Sequence, residues 1–68
     1  MKLTESQEKI MNNIKQNSKH SYKSLASATG LSNAMIYRVI DELSNAGFIK
    51  KTKEDGIILT DAGKLMIL

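Results

Sequence analysis

The sequence predicts a mostly α-helical fold closed by a small β-hairpin (α+β): a core of three helices, two short strands and a short final helix. Three observations predict it. Apolar residues recur at spacings of three and four from Ile10 to Leu43. Beyond Gly47 that period gives way to two short runs rich in β-branched residues, separated by Glu54-Asp55-Gly56. Small polar residues and glycines stand where helices begin and end.

Each element has its own signals. Thr4 and Gln7 fit a T-x-x-Q capping box, in which each side chain satisfies a free backbone N–H of the first turn. Ile10, Met11 and Ile14 then share one face, so a first helix is predicted over 5–16, ended by the polar stretch 16–20. Ser21 caps a second helix over 22–29, whose apolar residues are Leu25, Ala26 and Ala28. Gly30 suits the left-handed backbone that stops a helix. After Leu31, Ser32 caps a third helix over 33–45, with Ile36, Val39, Ile40 and Leu43 on one side and Asn45-Ala46-Gly47 at its end. Strands are predicted over 48–52 and 57–60, joined by a turn in which Asp55-Gly56 tolerates positive φ cheaply. From Asp61 a short helix follows, with Ala62, Leu65, Met66 and Leu68 as its apolar side.

Composition narrows the function. A chain of 68 residues has room for one domain over 1–68. At that size about 60% of the unfolded surface is buried, too thin a core for a deep catalytic cleft. With no cysteine, disulfides and thiolate metal sites are excluded, which fits a cytoplasmic protein. The longest apolar runs have four residues, as at 65–68, so no transmembrane span is present, and MKLTESQEK lacks the apolar core of a signal peptide. His20 is the one histidine, in a polar linker, with nothing to share a metal. Asp41 and Glu42 are sequence neighbours and point in different directions on a helix, so they are no catalytic pair. No glycine-rich phosphate loop occurs. The sequence therefore offers no enzyme site, no metal site and no cofactor or small-molecule site. The net charge of +3 suits a polyanionic partner.

Two helices joined by about three residues with a glycine in the turn make a helix-turn-helix. Steeply crossed helices need a small residue where they touch, and Ala26 supplies it, four positions before Gly30. Leu31 closes the turn. Ile36 and Val39 anchor the second helix of the motif, which leaves its other face free for a major groove.

The segment SLASATGLSNAMIYRVIDELSNAGFIKK resembles the winged helix-turn-helix superfamily of bacterial and archaeal regulators. NAGFIKK, a hairpin and then LTDAGKLMIL resemble in particular the multiple-antibiotic-resistance repressors and related PadR-like groups. Gly47, Phe48 and Ile49 match the helix end that precedes the two-stranded wing. Leu59, Thr60 and Gly63 match the Leu-Thr-x-x-Gly segment that opens the next helix. The resemblance covers about residues 4–65 and implies a transcription regulator, often a repressor, that binds double-stranded DNA. Those families carry long additional helices that form the dimer and often a ligand pocket. This sequence ends a few residues past the wing, so the resemblance does not extend to either feature.

If Ile36, Val39, Ile40 and Leu43 face the core, the opposite face carries Asn33, Ala34, Tyr37, Arg38 and Asp41. Arg38 either donates bidentately to guanine or pairs with Asp41 or Glu42. Asn33 reads adenine or binds phosphate. Tyr37 reaches a phosphate or a thymine methyl, or sits half-buried at the core edge. Met35 is read as core packing. Ser32 either caps or meets a phosphate. Ser21, Tyr22 and Lys23 open the second helix, where backbone N–H groups and the helix dipole favour a phosphate; Lys23 is a candidate phosphate contact, and Tyr22 either joins it or packs on the third helix. In the wing, alternation sends Lys51 and Lys53 to one face and Lys50 to the other. These lysines are candidate phosphate contacts, opposed by Glu54 and Asp55 at the tip. A homodimer is expected, because one small module offers little interface. Its candidate surfaces are residues 65–68 and the free side of the first helix, unless these residues close the monomer core. A winged helix that docks a protein rather than DNA is the alternative reading.

Overall fold

In the computed structural model, residues 2–16 and 21–68 are described. Within them the order is α1 (Glu5–Gln16), α2 (Tyr22–Thr29), α3 (Asn33–Asn45), β1 (Ile49–Thr52), β2 (Gly56–Leu59) and α4 (Asp61–Met66). His20 and most of the polar stretch before it lie outside the described residues.

The caps form as the sequence predicts. Thr4 N–H donates to Gln7 Oε1 at 2.9 Å and Gln7 N–H to Thr4 Oγ1 at 3.2 Å. Ser21 and Ser24 exchange the same pair of bonds at the start of α2. Ser32 Oγ accepts from Met35 N–H at 3.2 Å. Gly30 ends α2 with φ of 75°, its N–H donating to the Ala26 carbonyl at 2.9 Å.

Ile10, Met11 and Ile14 of α1, Leu25 of α2, and Ile36, Val39, Ile40 and Leu43 of α3 form one core. Ile49, Ile57 and Leu59 of the hairpin close it. The hairpin is antiparallel, pairing Ile49 with Leu59, Lys50 with Ile58, Lys51 with Ile57 and Thr52 with Gly56. Alternation along β1 and β2 therefore turns Ile49, Ile57 and Leu59 inward, while Lys50 and Ile58 take the outer face.

Three local expectations are corrected. Ala28 is exposed, and its neighbour Thr29 takes the buried position at the end of α2. Thr29 can sit there because its hydroxyl donates to the Leu25 carbonyl at 2.7 Å and accepts from Leu31 N–H at 3.3 Å. Phe48 and Thr60 fall outside the strands: Phe48 N–H bonds the Leu43 carbonyl, and Thr60 caps α4. In α4 the inward side is Gly63 with Met66, and Ile67 follows it; Ala62 and Leu65 are exposed, as is Leu68 beyond the helix.

Thr29→Val keeps the shape and strips both bonds from the turn. Leaving the Leu31 N–H without its partner costs about 1–2 kcal/mol. We expect a matching drop in the urea midpoint followed by helical circular dichroism. An unchanged midpoint would show that the hydroxyl does not hold the turn.

Candidate nucleic-acid interface

The end of α3 sets the place of everything after it. Gly47, at φ of 83°, donates to the Ser44 carbonyl, and Phe48 N–H donates to the Leu43 carbonyl at 2.9 Å. This pair of bonds closes the helix and turns the chain into β1. Thr60 then ties the far end of the hairpin to the same corner. Its N–H donates to the Phe48 carbonyl at 3.0 Å, and its hydroxyl donates to the Gly47 carbonyl at 2.6 Å. The same oxygen accepts from Gly63 N–H at 3.1 Å and caps α4. The third helix and the hairpin are thus joined at one fixed corner.

On α3 the outward face carries Asn33, Ala34, Tyr37, Arg38 and Asp41, all exposed, opposite the buried Ile36, Val39, Ile40 and Leu43. Arg38 does not pair with Asp41 or Glu42. Its Nη2 donates to Met35 Sδ at 3.0 Å, a weak acceptor that costs little to leave. Met35 itself packs against the core, as expected. Ser32 acts as the N-cap, so its oxygen is occupied while its O–H stays available to donate.

Tyr22 packs on α3. Its ring and that of Tyr37 have centroids 4.4 Å apart at an interplanar angle of 31°. Tyr37 is 54% exposed and lies outside the core proper. Lys51 reaches over from β1: its Nζ is 5.6 Å from the Tyr22 ring centroid and 3.5 Å from Asp41 Oδ1. The Tyr22 hydroxyl, working against desolvation and with a smaller contribution from the Asp41 carboxylate, holds the Lys51 ammonium above its ordinary pKa. This is the one ion pair among the described residues.

The structure therefore brings Tyr37, Asp41, Tyr22 and Lys51 together on one side of the motif. Lys23 stands exposed in the first turn of α2. Lys50 takes the outer face of β1, and Lys53 lies in the turn with Glu54 and Asp55 rather than in a strand, so the three wing lysines do not form one patch. The tyrosine stack and the Lys51–Asp41 pair join residues that are distant in sequence. The one signal for them was that Tyr22 opens the helix that crosses α3.

A helix pair turned through Gly30, with the second helix exposed along one face and an antiparallel hairpin fixed to its end, defines a winged helix-turn-helix module. The sequence matches the winged helix-turn-helix DNA-binding family over residues 3–50, and the chain belongs to that family. No curated protein matches it. Among solved structures, it is similar to Bordetella bronchiseptica BpsR, whose DNA binding is regulated by 6-hydroxynicotinic acid. That match has a TM-score of 0.89 at 20% identity over 97% of this chain and 50% of that one. A MarR/EmrR family transcriptional regulator from Acinetobacter sp. ADP1 gives a TM-score of 0.86 at 20% identity over 96% and 47% of the two chains. A Listeria innocua protein of unknown function gives 0.86 at 24% identity over 94% and 48%. These likenesses are of fold, and the chain spans about half the length of each. Among the described residues, no helix is long and apolar enough to cross a membrane.

Proposed function

We propose that the protein regulates transcription by binding double-stranded DNA with sequence preference, α3 in the major groove and the wing along the backbone. The exposed face of α3 carries this reading, because its polar side chains stand in solvent on a helix anchored by four buried ones. An α-helix with its side chains is about 10–12 Å across and so fits a groove about 12 Å wide. Arg38 reads guanine, Asn33 reads adenine or binds phosphate, and Ala34 and Tyr37 offer apolar contact to thymine methyls. Lys23, Lys50, Lys51, Lys53 and the Ser32 hydroxyl serve the phosphates.

On this reading residues 1–68 act as one domain in the cytoplasm, with no cofactor, metal, small-molecule ligand or catalytic step. A homodimer doubles a small interface, and Leu65 and Leu68, 70% and 91% exposed, are its candidate contacts. Met66 and Ile67 are partly buried against the core and contribute less. Repression by covering a promoter is the simplest mode for such a module.

The test is fluorescence anisotropy with a labelled random duplex across a range of salt. Affinity falls steeply with salt if phosphates are neutralised, with a log–log slope of about −0.9 per phosphate contact. Replacing Lys50, Lys51 and Lys53 with Ala is expected to flatten that slope by one to two such steps, about 0.9–1.8. A slope unchanged by the triple variant would remove the wing from the backbone. No binding by the folded protein at low salt would favour a protein-docking role.

A further inference from the structure

Between residues 21 and 55 the sequence places five cations, Lys23, Arg38, Lys50, Lys51 and Lys53, against four carboxylates, Asp41, Glu42, Glu54 and Asp55. The helix-turn-helix and wing are thus close to neutral, and each single charge there weighs heavily on affinity for a polyanion. Asp41 is the carboxylate on the outward face of α3, one turn past Arg38, and it is the partner of Lys51.

We propose that Asp41 stands in for a DNA phosphate: it occupies Lys51 in the free protein and so lowers affinity for duplex of any sequence, leaving discrimination to the α3 side chains. This rests on the DNA-binding reading above. The geometry gives Lys51 a definite resting place. The ammonium lies 3.5 Å from Asp41 Oδ1 and over the Tyr22 ring, and that ring is held by Tyr37 on the same helix as Asp41. The pair is open to water, with side chains 46% and 70% exposed, so water screens it and it exchanges readily. When the wing meets a phosphate, Lys51 must leave Asp41 or share it. A carboxylate left alone then faces the backbone and repels it. On either path non-specific association is weakened. Arg38 is poised differently, resting on a neutral sulfur with no carboxylate to leave. The two cations therefore divide the work: Arg38 is free to read, and Lys51 is held back.

The experiment compares wild type, Asp41→Asn, Lys51→Ala and the double variant in anisotropy titrations against a random duplex from about 50 to about 300 mM salt. Asp41→Asn is expected to tighten binding about three- to tenfold at the low end. It should also steepen the log–log slope by about 0.9, one further phosphate neutralised. In the Lys51→Ala background the same substitution should leave the slope unchanged and give a much smaller gain. Equal gains in slope and affinity in both backgrounds would reduce Asp41 to plain repulsion and overturn the proposal, as would an unchanged or weaker Asp41→Asn. If wild type binds and Asp41→Asn changes nothing, only this inference falls. If folded wild type does not bind duplex, the DNA-binding reading falls with it.

Discussion

Gly63→Ala should cost the domain a large part of its stability. A methyl at that position would overlap the Phe48 carbonyl oxygen and stand 3.0 Å from its carbonyl carbon. Both are backbone atoms, and neither can yield freely. The Phe48 carbonyl accepts from Thr60 N–H, and the Phe48 N–H is committed to the Leu43 carbonyl at the end of α3. Moving α4 away instead would break the cap that Thr60 makes to Gly63 N–H and loosen the Thr60 bond to Gly47. Overpacking against fixed surroundings costs about 1–3 kcal/mol and occasionally more, and this site belongs at the upper end, about 3 kcal/mol. A domain of 68 residues has only about 3–10 kcal/mol in total. We expect the urea midpoint of Gly63→Ala to fall by a third or more, and the variant to lose duplex affinity as the wing loses its fixed corner. A midpoint equal to wild type would mean that α4 slides off Phe48 at no cost, and that the corner does not hold the wing.

The same corner shows what the sequence could and could not reveal. Caps and helix periods are local signals, so Thr4, Ser21 and Ser32 mark the starts of α1, α2 and α3, and Gly30 the end of α2. The Leu-Thr-x-x-Gly pattern was visible too, but its cause lies fifteen residues upstream, at Phe48, and no local rule points there. Thr29 was missed because a buried threonine reads as polar until its hydroxyl is seen to serve both the Leu25 carbonyl and the Leu31 N–H. Ala62 and Leu65 belong to the apolar side of α4 in the sequence, but so short a helix carries too few turns to fix which face turns inward; Gly63 and Met66 do, and Ala62 and Leu65 are exposed. In the interface, the outward residues of α3 followed from its buried ones. Tyr22 against α3 is among the sequence readings, but Tyr37 as its partner and the partners of Lys51 are not, since each lies across a tertiary contact.

Arg38→Ala is expected to blur sequence preference more than it weakens overall binding. Arg38 is the one cation on α3, exposed, and held only by Met35 Sδ, so its guanidinium can swing into a groove without giving up a strong partner. A bidentate contact to guanine discriminates by about 1–3 kcal/mol, or roughly five- to 150-fold between the preferred base and another. Removing it should lower affinity for a selected duplex by that factor and leave random-sequence affinity changed by only a few-fold. Arg38→Lys separates reading from charge. It keeps a cation but loses the planar fork. If Arg38 reads a base, Arg38→Lys should retain the wild-type salt slope and still lose the preference. If it only neutralises a phosphate, Arg38→Lys should restore both, and Arg38→Ala should weaken all sequences equally. The second pattern would move base reading to Asn33, Ala34 and Tyr37, the remaining outward side chains of the first turns of α3.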